Sequence, residues 1–142
     1  MQIQQLTIFV ENKPGRLSEV VNCISNTGVN MHALSLADTT DFGIVRLIVD
    51  NVENARDALR EQGFIVKTTE VIAVALEHRP GSLAEVLREL AGAGISIEYM
   101  YAFPSRSVEY QAMVVMRLAN QDRSVGLLPE LNIHLLSHKD IN

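Results

Sequence analysis

Leu6, Ile8 and Val10 alternate with Thr7 and Glu11, the two-residue period of a half-buried strand, and the run stops at Asn12 ahead of Pro14 and Gly15. From Leu17 the period changes. Leu17, Val20, Val21 and Ile24 fall at i, i+3, i+4 and i+7, one face of a helix, and Gly28 supplies its stop. VNMHALSLAD and FGIVRLIVDN predict two further strands joined by the polar turn around Thr39, Thr40 and Asp41, close enough to form a hairpin. NVENARDALREQGF places Val52, Ala55, Ala58 and Leu59 at helical spacing up to Gly63, and FIVK predicts a fourth strand. The order is β-α-β-β-α-β.

The same order then starts again. VIAVALE predicts a strand, HRPGS a turn, and Leu83, Val86, Leu87 and Leu90 repeat the helical face at the relative positions of Leu17, Val20, Val21 and Ile24. Between residues 12–28 and 78–94, six of seventeen positions are identical, including the Pro-Gly pair. The second copy continues with ISIEYMYAF, the turn PSRSV, EYQAMVVMRL, a shorter helix weakened by Gly126 and ended near Pro129, and a last strand NIHLLS. Only KTTE separates the copies, so two docked modules are expected, 1–69 and 70–142, with no flexible tether. The predicted fold class is α+β: two ferredoxin-like modules packed side by side, each an antiparallel sheet with its helices on one face.

Composition narrows the function. Twelve Lys and Arg against seventeen Asp and Glu give a formal charge of −5 with no basic stripe, which argues against nucleic acid as a partner. The single cysteine, Cys23, falls on a helical core position and has no internal partner, so a reducing compartment suits the chain. No segment reaches the roughly 18 apolar residues of a membrane span, and MQIQQLTIFV has no basic leader, so a cytoplasmic protein without a membrane partner is expected.

The Pro-Gly turn carries chemistry. Pro14 suits a first helical position, Gly15 permits close backbone approach, and open N–H groups at a helix start favour a carboxylate or phosphate, with Lys13, Arg16 and Arg79 close by to add positive charge. A strand-to-helix turn of this composition is also common punctuation, and repetition supports both readings.

NKPGRL with GVNM, and HRPGSL with GISI, resemble the ligand loops of ACT domains, small regulatory modules that bind amino acids. The resemblance covers nearly the whole chain as two copies with no catalytic domain. It implies eight strands in all and a free amino acid held where the two modules meet. Carried over by position, it implies a first set of ligand-binding residues at Asn12, Lys13, Pro14, Gly15, Arg16, Leu17, Asn30 and Met31. The second set is His78, Arg79, Pro80, Gly81, Ser82, Leu83, Ser96 and Ile97. Asn12 and His78 occupy the polar position ahead of the turn, and Asn30 the amide that reaches the ligand from the partner module. Ser96 replaces that amide with one hydroxyl, so the two sites are expected to differ. A homodimer or a partner enzyme is left open by the remaining faces.

Other constellations weigh less. His134 and His138 on a strand would lie about 13 Å apart, too far for one metal ion, and no metal or cofactor is expected. Tyr99, Tyr101 and Phe103 share one strand face, with Tyr110 on the strand expected to pair with it, and fit a buried or interface face better than a nucleic-acid platform. No nucleophile elbow, phosphate loop or dinucleotide fingerprint occurs, and Glu19 and Glu85 share an exposed helical position. Against the amino-acid sensor stand a small ferredoxin-like enzyme and a structural or interaction subunit of an amino-acid metabolic enzyme. Asn12 and Asn30 favour recognition, since amides supply no acid, base or nucleophile.

Overall fold

The computed structural model describes residues 2–39, 41–105 and 110–142. The turns predicted at Thr40 and through residues 106–108 therefore fall partly outside the described residues. The chain divides into two compact units, Gln4–Thr69 and Glu70–Asn142, the latter with the N-terminal residues through Ile3.

In the first unit β1 (Ile3–Glu11) leads into α1 (Arg16–Asn26), then β2 (Met31–Asp38), β3 (Phe42–Val49), α2 (Val52–Glu61) and the start of β4 (Ile65–Leu76). The strand order is β2-β3-β1-β4, and β3 pairs antiparallel with both β1 and β2. Alternate residues Leu6, Ile8 and Val10 of β1 and Val45, Leu47 and Val49 of β3 face Val20, Cys23 and Ile24 of α1 and Val52, Ala55 and Leu59 of α2. Cys23 takes a central place on the α1 face, while Leu17 is only half-buried at its edge. Asn51 caps α2 by accepting from the Asn54 N–H at 3.0 Å.

The second unit uses the rest of β4, then α3 (Ser82–Gly92), β5 (Ile97–Pro104), β6 (Ala112–Leu118), α4 (Gln121–Leu127), a 3-10 turn at Leu128–Glu130 and α5 (His138–Ile141). The order is β4-β6-β5. Ile72, Val74 and Leu76 pack with Val114, Met116 and Leu118 against Val86 and Leu90 of α3.

Two differences reduce the expected eight strands to six. The strands predicted at FIVK and VIAVALE are one strand: the intervening KTTE has no glycine or proline to interrupt it, and β4 finds partners along its length. The predicted last strand, NIHLLS, is a single bridge between Val74 and Leu135, held by Ala75 N–H to His134 carbonyl (2.9 Å) and Leu136 N–H to Ala73 carbonyl (2.8 Å). It cannot lengthen. The 3-10 turn containing Pro129 precedes it, and Ser137 opens a capping box with Asp140 that starts α5 immediately afterwards.

His134 and His138 therefore do not share a strand, and the strand spacing expected for them does not apply. The His134 ring lies 4.5 Å from that of Tyr110, with Nδ1 3.1 Å from the tyrosine hydroxyl. Tyr110 precedes β6 instead of lying on it. Tyr99, Tyr101 and Phe103 do share a face of β5, half-buried at the tyrosines and buried at Phe103.

Candidate functional site

Lys13-Pro14-Gly15-Arg16 and Arg79-Pro80-Gly81-Ser82 are the same turn made twice. The Arg16 N–H reaches the Lys13 carbonyl at 3.3 Å, and the Ser82 N–H reaches the Arg79 carbonyl at 3.4 Å. Gly15 has φ 89°, ψ −13° and Gly81 φ 89°, ψ −11°. These are the values of the third residue of a type II turn, with proline at the second, where its fixed φ fits. Both prolines thus precede the helix instead of occupying its first position, because the left-handed glycine after each cannot be helical. A Cβ at either glycine would meet nothing within 4 Å, so backbone conformation, not crowding, demands glycine here.

Each turn feeds a helix whose N-cap is that glycine and which has no side-chain cap. The turn carbonyls take the Arg16 and Ser82 N–H groups and the glycine carbonyls those of Glu19 and Glu85, while the first-turn N–H groups between them have no side-chain cap at the positive end of the helix dipole.

The charges around them are already matched. Lys13 Nζ lies 2.8 Å from Glu11 Oε2, and Arg16 pairs with Glu19 while its guanidinium stacks 4.8 Å from the centre of the Phe64 ring. Arg79 donates from Nε to Glu77 Oε2 at 2.7 Å and from Nη2 to Glu85 Oε2 at 3.0 Å. These hydrogen bonds, to Glu85 first and then to Glu77, raise the Arg79 pKa, and Arg79 in turn lowers that of Glu85. Lys13 lowers the Glu11 carboxyl by its hydrogen bond and then by its charge. The expected reservoir of free positive charge at the turns is therefore spent on local carboxylates. Glu19 and Glu85 are exposed, as their helical position predicts, and each belongs to one of these pairs.

In the first unit Asn12, Lys13, Arg16 and Leu17 come together around a cleft of about 240 Å³ whose other walls are Val10, Glu11, Leu36, Asp38 and Gly43. The Asn12 amide donates to Asp38 Oδ1 at 3.0 Å. Asn30 and Met31 lie at the opposite end of β2, seven extended residues and roughly 23 Å from Asp38. There the Asn30 N–H donates to Asp50 Oδ1 (3.0 Å) and its carbonyl accepts from the Asp50 N–H (3.1 Å). Within one unit, then, Asn12 and Asn30 do not share a cleft.

The second unit repeats the separation. His78, Arg79, Pro80 and Ser82 border a cleft of about 410 Å³ with Leu76, Glu77 and Ala112. Ser82 Oγ donates to the Glu77 carbonyl at 2.7 Å, tying the helix start to the end of β4. Ser96 lines a different cleft, of about 240 Å³, with Gly94, Ala119, Asn120 and Arg123.

Asp38, Leu36 and Gly43 were missed in the sequence, and the repeat marks only that Asp38 is a position where the two copies differ. Glu11 and Glu77 continue the 66-residue offset of the two turns by one more identity, and the same offset sets Asp38 against Pro104. Among the described residues no group of three or more His, Cys, Asp or Glu side chains could hold a metal ion, and no helix is long and apolar enough to cross a membrane.

Over 99% of its length the chain resembles a Bacteroides thetaiotaomicron protein of known crystal structure, with 40% identity, coverage of 96% of that chain and a TM-score of 0.88. The regulatory subunit of aspartate kinase from Thermus thermophilus, in its ligand-free form, shares 14% identity over 87% of each chain with a TM-score of 0.59. That of Thermus flavus shares 15% over 80% of this chain and 81% of its own, with a TM-score of 0.55, so these two share the fold. No protein of curated function matches the sequence. The ACT domain pair family matches residues 1–142, and the chain belongs to that family, with the small-molecule-binding regulatory role that the family match supports.

Proposed function

We propose that the small molecule sensed is a free amino acid, bound at a Pro-Gly turn. The observation that carries this is the duplicated type II turn opening an uncapped helix. Its first-turn N–H groups offer a carboxylate several donors and a favourable dipole, while carboxylate and amide side chains beside it can accept from an ammonium. Asn12, Lys13, Gly15, Arg16 and Leu17 surround one such place, and His78, Arg79, Gly81, Ser82 and Leu83 the other. Because the nearby cations are paired, a zwitterion fits these surroundings better than a multiply charged anion such as a nucleotide. Use of this fold in kinase regulatory subunits supports a role in which ligand occupancy is passed to a separate enzyme.

Calorimetric titration and thermal-shift measurement with each of the twenty amino acids test the reading. At least one should bind saturably and raise the melting temperature in proportion to the logarithm of its concentration. Silence from all twenty would remove the amino-acid assignment while leaving the family unchanged.

A further inference from the structure

Strand register shows that the two turn clefts are built from equivalent positions with different chemistry. Across the first unit's sheet Val10 pairs with Gly43 and Gly43 with Asp38; across the second, Leu76 pairs with Ala112 and Ala112 with Pro104. Asp38 therefore stands where the second unit has Pro104, and one row further along Leu36 stands where it has Ala102. In the first cleft Glu11 is paired with Lys13 and Arg16 with Glu19, whereas the Asp38 carboxylate is bonded by the neutral Asn12 amide. Among the described residues no cation pairs with Asp38, which stands at the rim of a cleft floored by Val10, Leu17 and Leu36. In the second cleft Arg79 is shared between the carboxylates of Glu77 and Glu85, and the position of Asp38 holds a proline, so among the described residues no carboxylate stands across the sheet from the turn there.

We propose that Asp38 is the ammonium acceptor of the first unit's cleft, that this cleft selects neutral amino acids with aliphatic side chains, and that the second unit's turn cleft does not take an amino acid. The proposal rests on the amino-acid sensor reading and names the ligand class for one of its two places. Asp38 supplies the acceptor for an ammonium, and Val10, Leu17 and Leu36 supply an apolar wall. A charged ligand side chain would have to break the Glu11–Lys13 or Arg16–Glu19 pair to find a partner, or lie unsolvated on that wall.

The test is calorimetry on the full chain with L-leucine, L-valine, L-lysine, L-glutamate and 4-methylpentanoate, which is leucine without its ammonium group. L-Leucine or L-valine should bind at one site per chain, and 4-methylpentanoate should bind about tenfold to a hundredfold more weakly than L-leucine. Asp38→Asn should lose a similar factor for L-leucine and leave 4-methylpentanoate unchanged. If Asp38→Asn does not melt as the parent does, the comparison of L-leucine with 4-methylpentanoate on the parent protein decides alone. Equal affinity for those two ligands, undiminished leucine binding by a folded Asp38→Asn, preference for lysine or glutamate, or two equal sites per chain would each overturn the proposal while the sensor reading stands. No binding of any of the twenty amino acids would overturn both.

Discussion

The Asn12 side-chain amide donates to Asp38 Oδ1 at 3.0 Å, joining the residue after β1 to the last residue of β2 across the open end of the first cleft. Both residues are exposed, and the bond orients Asp38 without neutralising it.

Removing that bond should separate stability from recognition. Asn12→Ala is expected to change the unfolding free energy by no more than about 0.5 kcal/mol, because neither partner is buried. Amino-acid affinity should fall about fivefold, because the Asp38 carboxylate would no longer be held in place. Paired urea denaturation and calorimetry measure the two quantities, and a large loss of stability with affinity intact would show that the bond serves the fold.

Arg79 and Glu85 make the clearest pH prediction. Hydrogen bonds from Arg79 hold the Glu85 carboxyl below its ordinary value of 4.5, so the folded protein binds its proton less tightly than the unfolded chain does. Stability from this pair is therefore fully present above the unfolded pKa and disappears as the pH falls through the lowered folded value. Arg79→Gln should return Glu85 to its ordinary range in a carboxyl-carbon NMR titration and flatten the acid limb of the stability curve. Glu11, held by Lys13, should titrate as before.

The two turn glycines should respond alike. Gly15→Ala and Gly81→Ala each place a Cβ on a left-handed residue at the same φ of 89°, at a cost of about 1–2 kcal/mol. Because nothing lies within 4 Å to clash, asparagine, which tolerates that conformation, should cost less than alanine at both positions. Chemical denaturation of the four variants checks this. A much larger cost at one glycine than at the other would point to a contact there beyond the turn.

Much of this architecture was legible because each signal was local. The change of period at Leu17 and at Leu83, the Pro-Gly turns and the offset between copies identified five of the six strands and the main helices. What escaped depends on neighbours distant in the chain. No pattern within KTTE says whether two strands join into one, since that depends on the partners β4 finds along its length. NIHLLS has a strand's alternation but is confined between the Pro129 turn and the Ser137 capping box. At the cleft, the duplicated turns were visible, but Asp38 is brought to Asn12 from 26 residues away by the β2–β3 hairpin. The positive charge of Lys13, Arg16 and Arg79 was visible too, whereas its neutralisation required knowing that Glu11, Glu19, Glu77 and Glu85 lie within bonding distance.

Cys23 offers a probe of the core that no ligand is needed to read. The residue is 8% exposed, packed with Val20 and Ile24 in the cluster that joins α1 to β1 and β3, and burial followed by the nearby Glu61 charge pushes the thiol pKa up. Thiolate is the reactive form, so both its scarcity and its enclosure slow modification of the folded protein. Under native conditions an aromatic disulfide reagent should react at a rate set by opening of the first unit, and in denaturant immediately and with one equivalent per chain. Cys23→Ala, which leaves a small void and no polar atom, should be tolerated better than Cys23→Ser, whose hydroxyl would need a partner in this apolar cluster or cost about 1–3 kcal/mol. Rapid modification of the native protein, or equal stability of the two variants, would mean that α1 does not hold Cys23 against the sheet as tightly as its packing requires.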